Sequence, residues 1–381
     1  MKIKNGLVYE NGKFVFDKDV LIDGNYFSVQ TTDLTEIDAS GCYVIPGLID
    51  IHFHGCVGVD FCDGTIEAMR KIAEYELQQG VTSIHPATMT LPEEELAEIS
   101  KAAKEFYNMQ HAKKDSYQTE AELVGIYMEG PYISVKKKGA QNSLYVHKPD
   151  IEMFHRLQKE AEGLYHICAI APETEGAMKF ICEVKKEVRV SIAHTAADYD
   201  ITSEAFENGA SQVTHLYNAM PPFLHREPGV IGAACDKENV MVELICDGVH
   251  SHPATIRTTF KMFGAERIIM ISDSMMATGM PDGTYSLGEQ EVKVQGNLAK
   301  ITADGAIAGS VTNLFECLRF SVETVGMPLE TVIKCVTENP AKAAGIWEQY
   351  GSIAVGKYAD CIVMDKDFNI RHIIKYGKLV K

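Results

Sequence analysis

Eight apolar, β-branched runs recur through the middle of the chain, each followed by a loop and a helix-patterned segment. They are GLIDIHFHG (47–55), VTSIHPATM (81–89), LVGIYMEG (123–130), YHICAIAPE (165–173), VRVSIAHT (188–195), SQVTHLYN (211–218), VMVELICDGVH (240–250) and RIIMISDS (267–274). Strands that are apolar along their whole length suit a parallel sheet covered by helices. Eight such units in succession predict an α/β fold, a (β/α)8 TIM-like barrel. The linking segments agree. Residues 65–80 set Ile66, Met69, Ile72, Ala73 and Leu77 on one helical face and end at Gly80. The segment after Pro92 opens with Glu93, Glu94 and Glu95, as the positive end of a helix prefers. After the eighth run, 282–310 reads as an inserted hairpin, and helices over 311–325 and 328–345 close the barrel.

The two ends differ from this middle. Residues 1–46 alternate short β-like runs with Asn-Gly and Asp-Gly turns, and 347–381 read the same way. One small β-sandwich domain built from both termini is expected beside a barrel over 47–346.

Charge limits the partners. The 36 basic and 53 acidic residues give −17, so no overall field draws the chain to nucleic acid or to an anionic membrane. An anionic substrate would need a few local cations. No apolar run approaches a membrane span, and the N-terminus lacks a signal-like apolar core. Ten scattered cysteines without a CxxC pair read as reduced thiols in a cytoplasmic protein, with Cys56 and Cys62 as loop or core residues.

The chemistry gathers at the ends of the runs. His52 and His54 close the first, Glu129 the third, His194 the fifth, His215 the sixth, His250 the seventh and Asp273 the eighth. In a barrel these ends meet at the catalytic face. Residues i and i+2 of a strand share a side, so His52 and His54 project together. Imidazole and carboxylate are ligands that Zn²⁺ and Fe²⁺ favour, and a carboxylate such as Glu129 can bridge two ions. A divalent ion there makes hydroxide available near neutral pH, with Asp273 beside it to accept and return a proton. Single histidines such as His111, His155, His166 and His372 read as core or loop residues. So does His85, although it closes the second run and therefore lies near the ring.

PGLIDIHFHG (46–55) resembles the first-strand signature of the amidohydrolase superfamily. MEGPYISVKKKGA (128–140), AHTAADY (193–199), THLYNAMPPFLHREPG (214–229), CDGVHSHP (246–253) and SDSMMATGMPDGTYSLG (272–288) are similar to the branch that deacetylates N-acetyl amino sugar 6-phosphates. Other branches bridge their metals with a carboxylated lysine; here no run ends in Lys, and Glu129 takes that place. The resemblance implies that Glu129, His194 and His215 bind a principal divalent metal, and that His52 and His54 make a second position possible. Zn or Fe comes first as the ion, with Mn and Co also compatible. Asp273 is implied as general base and then general acid. Ala140, Gln141, Asn218, Ala219, Arg226, His250 and the segment Ile307, Ala308, Gly309 are implied to contact the phosphorylated sugar.

Arg226 offers a planar fork for phosphate oxygens, whereas Lys136, Lys137 and Lys138 read as a solvated loop face. Gln141 departs from the branch, which carries a His there. Gln donates a hydrogen bond but carries no proton at neutral pH, and His147 is the weaker candidate to replace that function. The implied reaction converts N-acetylglucosamine 6-phosphate to glucosamine 6-phosphate and acetate. N-acetylgalactosamine 6-phosphate is the alternative substrate, and a non-catalytic scaffold is the rival reading. A homodimer is expected from the resemblance alone.

Overall fold

The computed structural model describes residues 1–112 and 119–381. All eight runs form parallel strands in chain order. Leu48–Asp50, Val81–Ile84 and Glu122–Leu123 pair side by side. Ala87–Thr88, Ile126–Met128, Tyr165–Ile170, Arg189–Ile192, Gln212–Val213, Met241–Ile245 and Ile268–Ile271 form a second sheet. The second and third runs each supply two short strands, one to each sheet. The last strand returns to the first through backbone bonds from Asp273 N–H to His52 O (3.0 Å) and from His54 N–H to Ser274 O (2.7 Å). These bonds close a TIM-like barrel.

Alternation along the strands sorts the core into two layers. Ile49, Ile51, Tyr127, Ile167, Ile245, Ile269 and Ile271 fill the barrel interior. Leu48, Leu123, Val190, Val242 and Leu244 face outward and pack with helix residues such as Leu77, Phe154 and Ile181. The first helix, Ile66–Gln78, starts at Thr65, whose hydroxyl accepts the Ala68 N–H. The inserted segment is a three-stranded antiparallel sheet, Gly283–Leu287, Gln290–Gln295 and Leu298–Ile301, rather than one hairpin. The segment expected as one helix over 328–345 is two, Leu329–Val336 and Glu338–Ala343. Pro340 cannot donate to the Val336 carbonyl, so the helix stops at Thr337 and restarts with the proline in its first turn.

Strands from the two ends of the chain pair with each other. Tyr43–Pro46 runs antiparallel to Cys361–Met364 inside a six-stranded sheet, and a four-stranded sheet of N-terminal strands lies beside it. Ile3, Val20, Phe27, Val44, Cys361 and Ile374 share one buried cluster. Lys375 is wholly buried there, 2.7 Å from Asp360 Oδ2 and 3.5 Å from Glu122 Oε2. Glu122 belongs to a barrel strand, so this buried ion pair ties the terminal strands to the barrel. No described helix is long and apolar enough to cross a membrane.

Glu76 is an exception to the apolar packing between helix and barrel. It is buried on Ile66–Gln78, and among the described residues neither carboxyl oxygen has a hydrogen-bond partner. Burial first, and then the nearby Asp50 charge, push its pKa well above the ordinary glutamate value. The folded state therefore holds Glu76 protonated where the unfolded chain ionises it. Its contribution to stability is complete below the unfolded pKa and is lost as pH rises toward the folded one. The slope reaches about 1.4 kcal/mol per pH unit. Glu76→Gln removes this slope, so its melting temperature should gain on the wild type between pH 5 and pH 8. A gap that stays constant over that range would contradict a buried, protonated Glu76.

Candidate active site

The strand ends deliver their polar groups to one point, and strained backbone helps aim them. His194, His215 and Asp273 have φ of 42°, 28° and 49°, in the left-handed region that costs a non-glycine residue about 1–2 kcal/mol. Glu129 is followed by Gly130 at φ 102°, where an added Cβ would lie 2.1 Å from Thr90 Oγ1. Only glycine lets the chain turn away at that point.

Glu129 is the hub. Its Oε1 lies 3.1 Å from His194 Nε2, 3.0 Å from His215 Nε2 and 3.4 Å from His52 Nε2. Its Oε2 lies 3.3 Å from His54 Nε2 and accepts the Gln141 side-chain N–H at 2.8 Å. Asp273 Oδ1 stands 3.4 Å from His54 Nε2 and 3.9 Å from His52 Nε2. All these groups are buried.

Burial opposes charge on Glu129, but the His52 charge and the His194, His215 and His52 contacts overcome it and hold the carboxyl well below the usual range. Burial likewise opposes ionisation of Asp273. The His54 contact and the His52 and His54 charges prevail, and its pKa lies below the ordinary value. Against its own burial, His54 is pushed up to about 10 by Asp273 and Glu129. The carboxylates thus call for positive charge at this point.

The donor set fits a divalent cation. His194 Nδ1 lies 2.9 Å from the Lys137 carbonyl and His52 Nδ1 lies 2.8 Å from a Glu243 oxygen. Both partners only accept, so each Nδ1 must carry a proton. In the neutral rings the Nε2 lone pairs therefore face carboxylate oxygens, and His52 Nε2 is buried without a hydrogen-bond partner. Lone pairs facing lone pairs repel unless protons or a metal cation lie between them. Two clusters have metal-ligand spacing: Glu129, His194 and His215, and His52, His54 and Asp273.

A cavity of about 310 Å³ opens above this centre. Ala140, Gln141, Asn218, Ala219, His250, Ile307 and Gly309 line it, together with His54, Glu129, His194, His215 and Asp273. Gly309, at φ 59°, sits so close that a Cβ there would lie 3.1 Å from the Asp273 carbonyl. His52 forms the buried floor. Ala308 is fully buried behind the wall, its N–H bonded to Ala299 O.

Gln141 lines the cavity, and its side-chain amide is engaged at both ends. Its Oε1 accepts the Thr90 N–H at 2.7 Å and its Nε2 is spent on Glu129, so it braces the hub. Arg226 is not brought to the cavity of its own chain. It is exposed, 2.7 Å from His225 Nε2, and borders a separate cleft with Asp198 and Tyr199. His147 is exposed, and His85 is buried below against Tyr127 and His166, outside both ligand clusters. Of the three lysines, Lys137 contributes through its carbonyl alone.

Three features escaped sequence reasoning: a pair of apolar wall residues, Asp247 and Glu243. Met89 and Leu287 add apolar wall to the cavity. Asp247 accepts the backbone N–H groups of Val249 and His250 and lies 2.7 Å from His250 Nδ1, which turns His250 Nε2 away from it. Burial lowers the His250 pKa, but the Asp247 bond and charge outweigh it and raise it. Glu243 is the third. A charge inside the apolar run VMVELIC was the available signal for it.

The sequence model of the amidohydrolase family matches residues 43–380. The N-acetylglucosamine-6-phosphate deacetylase of Bacillus subtilis (strain 168) is 38% identical over 337 residues, 88% of this chain and 84% of that protein. The N-acetylgalactosamine-6-phosphate deacetylase of Escherichia coli O157:H7 is 33% identical over 360 residues, 94% of this chain and 93% of that protein. A mutant N-acetyl-D-glucosamine-6-phosphate deacetylase from Mycobacterium smegmatis, solved with N-acetyl-D-glucosamine-6-phosphate, superposes with a TM-score of 0.91 at 29% identity. That likeness covers 100% of this chain and 99% of that one. By sequence over nearly its whole length and by fold, the chain belongs to the amidohydrolase family, hydrolases that act on amide bonds.

Proposed function

We propose that this chain deacetylates an N-acetyl hexosamine 6-phosphate, with N-acetylglucosamine 6-phosphate as first substrate and glucosamine 6-phosphate and acetate as products. The observation that carries the reading is one buried carboxylate, Glu129, facing four imidazole Nε2 atoms with Asp273 alongside. Glu129, His194 and His215 would hold one divalent ion, with Zn or Fe foremost, and His52 and His54 a second. Such ions supply Lewis acidity and bring the pKa of water toward 7.

The chain's own residues do the rest. Asp273, held ionised, accepts the proton of the attacking water at its carboxylate and returns it to the departing amine nitrogen. Gln141 and the four imidazoles keep Glu129 in place. Asn218, Ala219, Ile307 and Gly309 shape the sugar pocket, and Met89 and Leu287 keep part of it dry. His250, whose pKa Asp247 raises against the opposing effect of burial, is the group at the cavity that would meet a phosphate. The 33% identity to the Escherichia coli enzyme keeps N-acetylgalactosamine 6-phosphate as the second candidate substrate.

The reading carries with it a homodimer in the cytoplasm. It also divides the chain into a barrel over 47–346 and a small β domain from 1–46 and 347–381. The pairing of 43–46 with 361–364 supports that division.

Acetate release from the two hexosamine 6-phosphates and their unphosphorylated forms tests the substrate. Release from neither phosphate ester, by protein whose metal content has been measured, would refute the reading. Less than one ion per chain would favour a scaffold instead. Asp273→Asn should lower turnover about 10²–10⁴-fold with an unchanged circular dichroism spectrum, and full turnover would remove Asp273 from the mechanism. Asp247→Asn should raise KM for the phosphorylated sugar roughly tenfold, a hydrogen bond to a charged group being worth about 1.5 kcal/mol or more. An equal rise for the unphosphorylated sugar would take His250 out of the phosphate site.

A further inference from the structure

Glu243 lies on the strand Met241–Ile245, fully buried, in a barrel interior of isoleucines, alanines and Tyr127 with a few hydrogen-bonded polar side chains. A bare carboxylate there would cost several kcal/mol, so its partners matter. Its Oε2 takes the His52 Nδ1–H at 2.8 Å and the His215 backbone N–H at 3.2 Å. Its Oε1 takes the Gln212 side-chain N–H at 2.6 Å. Among the described residues no lysine or arginine forms an ion pair with it.

We propose that Glu243 is the positioning residue that makes His52 a metal ligand, and so decides whether the His52–His54–Asp273 position is filled. The proposal rests on the metal-dependent reading of the site. Its ground is an asymmetry among the four imidazoles. His194 Nδ1 donates to a neutral carbonyl. The Nδ1 atoms of His54 and His215 are buried with no hydrogen-bond partner. His52 alone rests on a carboxylate.

That contact fixes the tautomer, points the Nε2 lone pair at Glu129 and Asp273, and raises its basicity as a ligand. The bond to the His215 backbone N–H leaves the His215 ring untouched. Gln212 fastens the far oxygen, so the carboxylate cannot swing away from His52. Glu243 therefore supports the second cluster through a ligand ring, and touches the first only through the His215 backbone.

The test uses full-length protein stripped by chelator and titrated with Co²⁺, followed by calorimetry and by the Co²⁺ absorption spectrum. The wild type should show two binding steps. Glu243→Gln, whose amide oxygen is a weaker partner for His52, should weaken one step about 10–100-fold and leave the other within about threefold, the usual context-dependent scatter of such effects. Gln212→Leu keeps the carboxylate but frees its far oxygen, so it should weaken the same step by less. It serves as the readout should Glu243→Gln fail to fold. Two unchanged steps, or two steps weakened alike in a variant with native circular dichroism, would overturn the proposal alone. A wild type that takes up a single ion would overturn it together with the two-ion reading.

Discussion

A carboxylate buried among imidazoles is the constraint on which the rest of this molecule turns. Glu129 is almost wholly withdrawn from solvent at the base of the cavity, and burial alone would drive it toward protonation. Four ring nitrogens approach within 3.0–3.4 Å instead. At least two of these rings are fixed with their lone pairs inward, because His194 and His52 spend their Nδ1 protons on groups that only accept. Such a cluster is stable with shared protons or with a cation, and it is the same arrangement that prepares a hydrolytic centre.

Holding it together requires a frame that closes. The bonds from Asp273 N–H to His52 O and from His54 N–H to Ser274 O join the last strand to the first at the level of the chemistry. Barrel closure and site assembly are therefore one event. The left-handed backbone at His194, His215 and Asp273 is a local cost carried by the surrounding core. At the opposite side of the fold, buried Lys375 reaches Asp360 and Glu122, which anchors the terminal strands to a barrel strand.

Much of this was legible in the residues. Eight apolar runs dictated parallel strands, and a strand end carrying His, Glu or Asp is where a barrel places function. Other features were not legible because they depend on contacts between distant segments. Gln141 read as a substrate group, and it does line the cavity, but nothing local shows that Thr90 and Glu129 also claim both ends of its amide. Arg226 read as a phosphate-binding group from its motif, for its own site or a neighbouring subunit's, and its loop places it at an exposed cleft away from its own chain's cavity. Asp247 stands beside a motif that was noticed, but only folding turns it onto His250. Pro340 marks the break at Thr337 locally, but the apolar periodicity continues through it and masks the signal.

By itself the amino-acid order determined which donor types exist and which strands end in them, because alternation and apolar patterning are local properties of the chain. What only the tertiary structure decided is which donors meet. His52 and Glu243 are 191 positions apart and touch because strands one and seven face across one barrel interior. Distances of that kind depend on sheet register and closure, which are set by the packing of the whole core and not by any segment of it.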